Sequence, residues 1–429
     1  MILIDMKRFY QATYMINKTK DISSYYFIAC ISFVLGLFMQ DFFKVPLTGG
    51  IIIIGLSWIF SFSFKEKLQR FIKNPVAIAF VLLYLLHLVS IFYTENSSEG
   101  WNDLRLKISF LLLPFFMMTV QFIYNEQRMF ILKLFAVLMM LMALSDLMHA
   151  FLEYLTSGNQ ETFYYVHLPY LLASKVHYVA WYYSFAIFVS IYHLIYSHSN
   201  MILWFLGLLT LLFSLILLSS RAFILAFILV FILSFLKWFR TAKVSRLMWT
   251  KILSIAALFI FFLVFIPSTN LRLNDTVVEL QKMFGYDTPK QTNPRVFIWR
   301  YGADLIVKNP IFGFGVGDAK GELSAALESC DAMFWNGDRN VPIQNKNYNF
   351  HNQFMQTWAE VGIFGFLILL FIMIHPFLLK NSHPLFLIFI GLTFIGCLTE
   401  SMFERQAGVV LFAFMYPLLS GLKKVSDEY

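Results

Sequence analysis

The sequence predicts an all-α, polytopic integral membrane protein with about twelve transmembrane helices. Hydrophobic residues make up 59% of the 429 residues, and charged residues make up only 14%, against about 25% in an ordinary soluble domain. The mean hydropathy is +0.68. Long apolar runs recur along the chain. These runs lack the alternation of polar and apolar residues that is typical of a transmembrane β-barrel.

Each long apolar run is interpreted as one span, and the shorter runs are expected to tilt or to include flanking residues. In chain order we expect spans at Tyr25–Met39, Thr48–Phe64, Val76–Tyr93, Leu106–Tyr124, Phe130–Tyr154, Val176–Tyr196, Met201–Leu218, Ala222–Phe239, Ile252–Ile266, Gln353–Leu379, Leu385–Thr399 and Ala407–Leu422.

The short loops between the spans differ in charge. The loops "KEKLQRFIKN" and "KWFRTAKVSRLMWTK" are rich in lysine and arginine, whereas "TENSSEG" and "TSGNQET" are acidic. Because basic loops stay on the cytoplasmic side, this asymmetry predicts that both termini are cytoplasmic. It also accounts for the net charge of +8. The sequence has no basic cluster in a soluble domain that could hold a nucleic acid. Membrane lipids are the expected surroundings.

The chain is expected to have three parts. Residues 1–266 carry the first nine spans, residues 267–352 form a long outer loop, and residues 353–429 carry the last three spans with a cytoplasmic tail. Within the loop, "TVVELQKMF" and "RVFIWRYGADLIVK" have the apolar spacing of amphipathic helices that lie on the membrane surface. The three cysteines are scattered, which argues against a disulfide framework or a metal cluster.

Ionisable residues gather at the predicted outer ends of the spans and in the outer loop. Such groups near a bilayer core are functional candidates by default, although snorkelling or a local ion pair can explain any one of them. They are Arg105, Lys107, Asp146, His149, Glu153, His177, Arg221, Arg295, Arg300, His351, Glu400, Glu404 and Arg405.

Arg221 is the most informative of these residues. In "LLSSRAFILAF" it begins a helix, where the helix dipole disfavours a cation. A bound anion would reverse that effect, because helix N–H groups and a guanidinium both bind phosphate well. Arg221 is therefore a candidate phosphate ligand. The alternative is a structural ion pair with Glu400 or Glu404.

Two further groups leave alternatives open. Arg295 and Arg300 are five residues apart in one predicted helix, so only one of them should face a given ligand. Asp146, His149 and Glu153 share a helix face and could line an outer cavity, pair with the arginines, or bind a metal. Their spread along the helix makes the metal site the weakest of these interpretations.

The segment "GFGVGDAKG" is not interpreted as a nucleotide-binding loop, because no strand precedes it and no GK[ST] follows. Its glycines predict a tight turn after Pro310. His351, at the start of the tenth span, is a candidate general base, since imidazole titrates near neutral pH and can accept a proton from a hydroxyl. The alternative is an interfacial helix cap. Beside arginines that hold a pyrophosphate, such a base would suit glycosyl transfer from a lipid pyrophosphate.

Five motifs together resemble the O-antigen ligase and polymerase superfamily. "SSRAF" resembles its arginine-bearing helix start, and "RVFIWRYGADLIVKNPIFGFGVGD" its Arg-x-x-x-Trp segment with Asn-Pro and a glycine turn. "HNQFMQTWAEVGIFG" resembles its His-Asn segment and the helix that follows. "LTESMFERQAG" resembles its glutamate-containing link near the C-terminus. "HYVAWYYSFAI" is a weaker match to its histidine-tyrosine helix start. The resemblance as a whole covers about residues 100–420, and the motifs follow the order that they have in the superfamily.

The resemblance implies a glycosyltransferase of the bacterial inner membrane with its active site facing the periplasm. It implies an undecaprenyl-pyrophosphate-linked glycan as donor. The acceptor would be a lipid A-core sugar, another lipid-linked glycan or a protein hydroxyl. No metal, ATP or other cofactor is implied, because the pyrophosphate bond supplies the free energy.

The resemblance also assigns roles by residue. Arg221 and Arg295 would bind pyrophosphate, and His351 would activate the acceptor hydroxyl. Arg300 is extra relative to the motif, and it would replace or assist Arg295. The secondary candidates are Arg105, Lys107, His177, Asn352 and Glu400.

Three functions are compatible with the sequence. The first is an O-antigen ligase, and the second is a polysaccharide polymerase with the same chemistry and a lipid-linked acceptor. The third is a transporter of lipid-linked glycans. A transporter predicts polar residues near the bilayer midplane and matching halves, whereas here the polar residues gather at one face. The ligase is therefore the leading prediction.

Overall fold

The computed structural model describes residues 23–39, 45–61, 63–120, 123–170, 176–197, 199–241, 294–328, 333–335, 340–342 and 348–422. The predicted ninth span, Ile252–Ile266, lies outside these described residues, as does the outer loop up to residue 293. The outer-loop helix predicted at "TVVELQKMF" therefore stays a prediction.

The described residues form fourteen α-helices, two short 3₁₀ segments and one hairpin. The helices are α1 (Ser23–Phe38), α2 (Val45–Phe60), α3 (Phe64–Ile72), α4 (Pro75–Ser90), α5 (Ser97–Met118), α6 (Asn125–Ser157), α7 (Val176–Tyr196), α8 (Met201–Leu217), α9 (Arg221–Thr241), α10 (Pro294–Lys308), α11 (Ala319–Glu328), α12 (Gln353–Leu378), α13 (Pro384–Thr399) and α14 (Gln406–Ser420). The 3₁₀ segments are Gln160–Phe163 and Tyr165–His167. Strands β1 (Met333–Trp335) and β2 (Asn340–Pro342) pair antiparallel, with Phe334 opposite Val341.

Most of the described helices agree in position with the predicted spans, and the chain is an integral membrane protein. Among the described residues, three helices are long and apolar enough to cross a membrane: α6, α7 and α12. A fourth would be added if the bent pair α2 and α3 formed one span. Several other predicted spans fall on shorter apolar helices. The count of twelve spans stays a prediction.

The second predicted span is wrong at its end. Helix α2 ends at Phe60, and α3 begins at Phe64 and turns away by 111°, where the sequence was interpreted as a basic loop. Ser63 accepts a hydrogen bond from the N–H of Glu66 at 3.4 Å and caps α3. Lys67 fixes the corner, since its ammonium bonds the carbonyls of Trp58 and Ile59 at the end of α2. A cation is favourable at a helix C-terminus.

The core lies along α7 and α14. Helix α7 contacts α6, α8 and α13, while α5 packs along both α4 and α14. Every side chain from Val409 to Leu419 is buried. Aromatic rings fill much of this interior, as where Trp181 stacks on Phe389 with ring centroids 5.5 Å apart. Such contacts add to the area that each ring buries.

Helix α12 is broken at Val361 and Gly362, and this break positions the site. Gly362 has φ +71°, which favours glycine. The turn that follows Pro310 inserts at the break: the N–H groups of Phe314 and Gly315 donate to the carbonyls of Ala359 and Glu360 at 2.7 and 3.0 Å. The helical carbonyls freed by the break therefore regain partners. The first two turns of α12 are thus joined to the outer loop.

Candidate functional site

Glu400 is the centre of the candidate site. It follows α13, and its N–H donates to the carbonyl of Gly396 at 2.9 Å. His351 Nδ1 lies 3.0 Å from both carboxylate oxygens. Arg295 Nη2 donates to Oε2 at 3.4 Å, and His177 Nε2 lies 3.7 Å from Oε2. One carboxylate thus gathers side chains from three different segments of the chain.

His351 is held in an unusual backbone conformation. Its φ is +45°, which is uncommon for a residue other than glycine and marks strain that the surroundings must offset. Its N–H donates to Asn349 Oδ1 at 3.0 Å, and Trp299 Nε1 donates to the preceding carbonyl, that of Phe350, at 3.1 Å. Asn352 caps α12, with Oδ1 accepting from Phe354 and Met355 N–H groups. These contacts fix the backbone on both sides of His351 and so orient its imidazole toward Glu400.

The contact with Glu400 defines the tautomer of His351. A carboxylate accepts hydrogen bonds, so Nδ1 carries a proton toward Glu400. In the neutral ring Nε2 then holds the lone pair, which is the arrangement that a general base requires. The His351 side chain is 26% exposed, against 10% for Glu400. A substrate can therefore reach the ring while the carboxylate stays behind it.

The electrostatics of the site favour an ionised Glu400. Burial alone would raise its pKa, but the hydrogen bond and charge of His351, with the charges of His177 and Arg295, lower the pKa to about 2. An anion with several donors around it is the expected outcome.

Arg221 directly follows Ser220, a residue that contacts His177 of this cluster. It is the first residue of α9, as predicted, and is half-buried. The preceding Ser220 has its Oγ 3.1 Å from His177 Nδ1. His177 thus joins Glu400 on one side to the N-terminus of α9 on the other. The backbone N–H groups at this helix end could also hold an anion.

Three other arginines proposed from the sequence, Arg295, Arg300 and Arg105, differ in their placement. Arg300, on α10, is exposed and forms no ion pair among the described residues. Arg295, near the start of the same helix, reaches Glu400. Arg105 is exposed on α5. Of these three, the structure brings only Arg295 to the cluster around Glu400.

Lys107 belongs to a second, buried cluster. Its ammonium contacts Asp103 one turn earlier, Glu360 Oε2 at 3.1 Å and Glu404 Oε1 at 3.0 Å. Lys320, on α11, contacts Glu404 Oε2 at 2.5 Å. Burial alone would lower the pKa of Lys320, but Glu404 raises it. The three carboxylates have ligand atoms within 4.8 Å of one another, a spacing suited to a metal ion. The Lys107 ammonium already supplies a cation between them.

Glu360 belongs to the motif "HNQFMQTWAEVGIFG" but was not proposed as a site residue, and His87 was missed altogether, because each lies inside a predicted span. An ionisable residue in such a span is itself a signal of function or pairing. His87 Nε2 is 3.3 Å from Glu360 Oε2, and its Nδ1 is 2.8 Å from the Leu83 carbonyl oxygen. Both residues therefore belong to the Lys107 cluster.

Asp146, His149 and Glu153 do not converge. Asp146 is buried and accepts hydrogen bonds from Tyr183 Oη at 2.8 Å and from the N–H of Tyr170 at 3.0 Å. His149 and Glu153 are partly exposed, and His149 Nδ1 lies 4.0 Å from Glu153 Oε2. Asp146 has a structural environment, and the metal site that the sequence allowed gains no support.

The glycine segment forms the tight turn that was predicted. Gly313 and Gly315 have φ of +71° and +91°. The N–H of Gly317 donates to Thr94 Oγ1 at 3.1 Å. Asp318 accepts from the N–H groups of Glu95 and Asn96 at 2.6 and 2.9 Å. The turn is packed against the start of α5.

Comparison with known proteins now bears on this geometry. Residues 206–370 match the family model described as O-antigen ligase. In this stretch the chain is similar to O-antigen ligases. The matched residues include Arg221, Arg295 and His351, while Glu400 lies beyond them. The resemblance seen in the motifs is confirmed.

A curated protein of Rickettsia conorii, provisionally named a polysaccharide ligase, is 32% identical over 89 residues. The alignment covers 21% of this chain and 20% of that protein. The chain thus spans about a fifth of the length of this curated relative. The family match and this similarity both suggest an enzyme of the ligase type.

Proposed function

We propose that the protein is an O-antigen ligase-type glycosyltransferase. It moves a glycan from undecaprenyl pyrophosphate to an acceptor hydroxyl, a lipid A-core sugar, at the periplasmic face of the inner membrane. The observation that carries the proposal is the pairing of His351 Nδ1 with both oxygens of Glu400 at 3.0 Å, inside a cluster that also holds Arg295.

The proposed reaction is a displacement at the anomeric carbon. His351 Nε2 accepts the proton of the acceptor hydroxyl as the oxygen forms a bond to that carbon. The bond between the carbon and the pyrophosphate oxygen breaks, and undecaprenyl pyrophosphate leaves with the electron pair. Glu400 stabilises the imidazolium that results, in the way a carboxylate orients a catalytic histidine. A single displacement of this kind inverts the anomeric configuration.

The pyrophosphate is assigned to Arg295 and Arg221. A guanidinium binds phosphate oxygens through two parallel N–H donors in a fork geometry. Arg295 bonds Glu400 at the long distance of 3.4 Å, so an incoming pyrophosphate offers it a stronger partner. The N-terminus of α9 adds N–H donors beside Arg221. Arg300 is proposed only as an assisting residue.

The secondary candidates receive narrower roles. His177 holds the second face of Glu400, and Asn352 holds the start of α12 next to His351. Arg105 is proposed to meet lipid headgroups or the glycan from the surface. No metal or ATP enters the proposed step. EDTA treatment is therefore expected to leave transfer unchanged, and inhibition that added zinc reverses would contradict this.

The test is a surface-glycan profile in a strain that lacks the gene, complemented with wild type, His351→Ala or His167→Ala. His167 is exposed and lies outside the site, so it is the matched histidine control. Wild type and His167→Ala should restore glycan on lipid A-core. His351→Ala should leave full-length glycan on undecaprenyl pyrophosphate.

Other outcomes decide between the alternatives. A surface lipid capped with a single repeat in the deletion strain would identify a polymerase, which uses the same chemistry on a lipid-linked acceptor. A profile that is unchanged by deletion would refute the ligase. Loss of glycan from the outer face with accumulation of lipid-linked glycan on the cytoplasmic side would indicate a transporter.

A further inference from the structure

We propose that Lys107 is a positioning residue, a buried ammonium that holds the segments carrying His351 and Glu400 at their working separation. The inference rests on the proposed function, because holding these segments matters for catalysis only if His351 and Glu400 act in glycosyl transfer. It does not make Lys107 a ligand for the donor. Among the described residues, the charged partners of its ammonium are Asp103, Glu360 and Glu404.

The three partners of Lys107 come from separate segments. Asp103 lies on α5 itself, and Glu360 lies at the break in α12. Glu404 lies in the segment between α13 and α14, four residues after Glu400. Since ion pairs restrict the groups that they join, one ammonium ties α5 to both segments of the candidate site. It does so from the interior, because the Lys107 side chain is 2% exposed.

The cluster sets two ammonium groups against three carboxylates. The ammonium groups belong to Lys107 and Lys320, and the carboxylates to Asp103, Glu360 and Glu404. The His87 imidazole lies beside them, with Nε2 3.3 Å from Glu360 Oε2 and Nδ1 2.8 Å from the Leu83 carbonyl oxygen. Loss of one charge would leave a buried counter-charge without compensation.

Hydrogen bonds carry the restraint from the cluster to His351. Gln356 Nε2 donates to Glu360 Oε1 at 2.6 Å, and Gln356 Oε1 accepts from the N–H of Phe350 at 3.1 Å. Phe350 immediately precedes His351. The position of the Glu360 carboxylate therefore bears on the backbone that presents the imidazole.

A second set of bonds reaches Glu400. The N–H of Glu404 donates to the Ser401 carbonyl at 3.2 Å, and the N–H of Met402 donates to the Glu400 carbonyl at 3.0 Å. Gln353 Oε1 accepts from the N–H of Phe403 at 2.6 Å, which joins this segment to α12. Lys107 thus holds the same turn that begins at Glu400.

The experiment compares Glu404→Gln and Lys107→Met with wild type in lipid nanodiscs. Glu404→Gln retains shape and hydrogen-bonding capacity, so it keeps the test valid if Lys107→Met fails to fold. Lys308→Met is the matched control, since Lys308 is exposed at the end of α10. Transfer is measured with an undecaprenyl-pyrophosphate-linked glycan and a purified acceptor lipid.

We expect kcat to fall by about 10- to 30-fold in both cluster variants, no more than the loss of the His351–Glu400 pair itself would cause. The KM for donor should stay within about 3-fold, because donor ligands are untouched. When either variant is combined with Glu400→Gln, the added loss should be less than about 2-fold, because both act through one pair. Losses that multiply, or an unchanged kcat in folded protein, would overturn the inference.

A spectroscopic readout separates this inference from the proposed function. The ¹⁵N signals of the His351 ring, assigned by their loss in His351→Ala, report the Nδ1-protonated tautomer. We expect Glu404→Gln to mix the tautomers and Lys308→Met to leave them unchanged. If Glu404→Gln mixes the tautomers but the wild type transfers no glycan, the proposed function is refuted and the positioning role is supported. Transfer without any response in signal or kcat would refute the positioning alone.

Discussion

Replacing Glu400 by glutamine should slow transfer while leaving donor binding intact. The carboxylate is the shared partner of His351, Arg295 and His177. Its pKa is lowered from an ordinary value of 4.5 to about 2 even though burial opposes this. The difference corresponds to about 3 kcal/mol of favourable interaction with the ionised form.

His351 provides the largest of the effects that lower this pKa. We assign its charge-assisted hydrogen bond about 1.5 to 2 kcal/mol. The proposed step generates an imidazolium, so this interaction contributes most in the transition state. Its loss should reduce kcat by about 10- to 30-fold. The KM for donor should be unchanged or lower, because Arg295 loses a competing anion.

The assay is single-turnover transfer by purified protein in nanodiscs, with Glu322→Gln as the matched control. Glu322 is an exposed acid on α11, so its variant should retain wild-type kcat. If Glu400→Gln folds and keeps kcat within about 2-fold, then Glu400 does not assist the base, and the argument from the His351 contact is refuted.

Three further predictions follow from individual contacts. Thermal melts should show that the stability gap between wild type and Glu400→Gln shrinks as pH falls from about 4.5 toward about 2, because the stability contributed by a depressed carboxylate pKa is lost in that window; a gap that grows between these two pH values would contradict this. Arg295→Gln should raise the donor KM by about 10-fold or more, whereas Arg300→Gln should change it by less than about 2-fold; equal effects in a binding assay would reverse the assignment. Arg128→Ala should lower the melting temperature, at a cost of about 3 kcal/mol, because its buried guanidinium donates to carbonyl oxygens of Pro417 and Ile123 at 3.0 and 3.2 Å; unchanged stability would show that water replaces it.

The positions of most helices could be predicted because hydrophobicity is a local property of the chain. The run Val176–Tyr196 has the same bounds in the sequence prediction and in α7. Helix α3 was missed because its basic residues were weighed as a loop signal. The four-residue spacing of Phe64, Leu68 and Ile72, all exposed, carried the helical pattern. Attention to period as well as charge would have found it.

The site was predicted as a set of residues but not as an arrangement. His351, Arg295 and Glu400 were all candidates, yet their pairings join positions 49 and 105 residues apart. No local pattern encodes such a contact. Lys107 was grouped with the outer-face cations because Glu360, its partner 253 residues away, is hidden in an apolar run. Folding brings the two together. Lys107, which was expected to be a secondary candidate for binding the substrate, lies instead at the centre of a buried ion cluster.

The break at Gly362 divides α12 into two mechanical parts. The short N-terminal part carries the residues next to His351 and is bonded at Ala359 and Glu360 to the turn after Pro310. The longer part continues through the apolar layer. Lateral pressure, thickness changes and tilt in the surrounding lipid act on the longer part. The N-terminal part is fixed separately, by its hydrogen bonds to the turn after Pro310 and by the ion pair of Glu360 with Lys107, so bilayer deformation that acts on the longer part is not transmitted to it through a continuous helix.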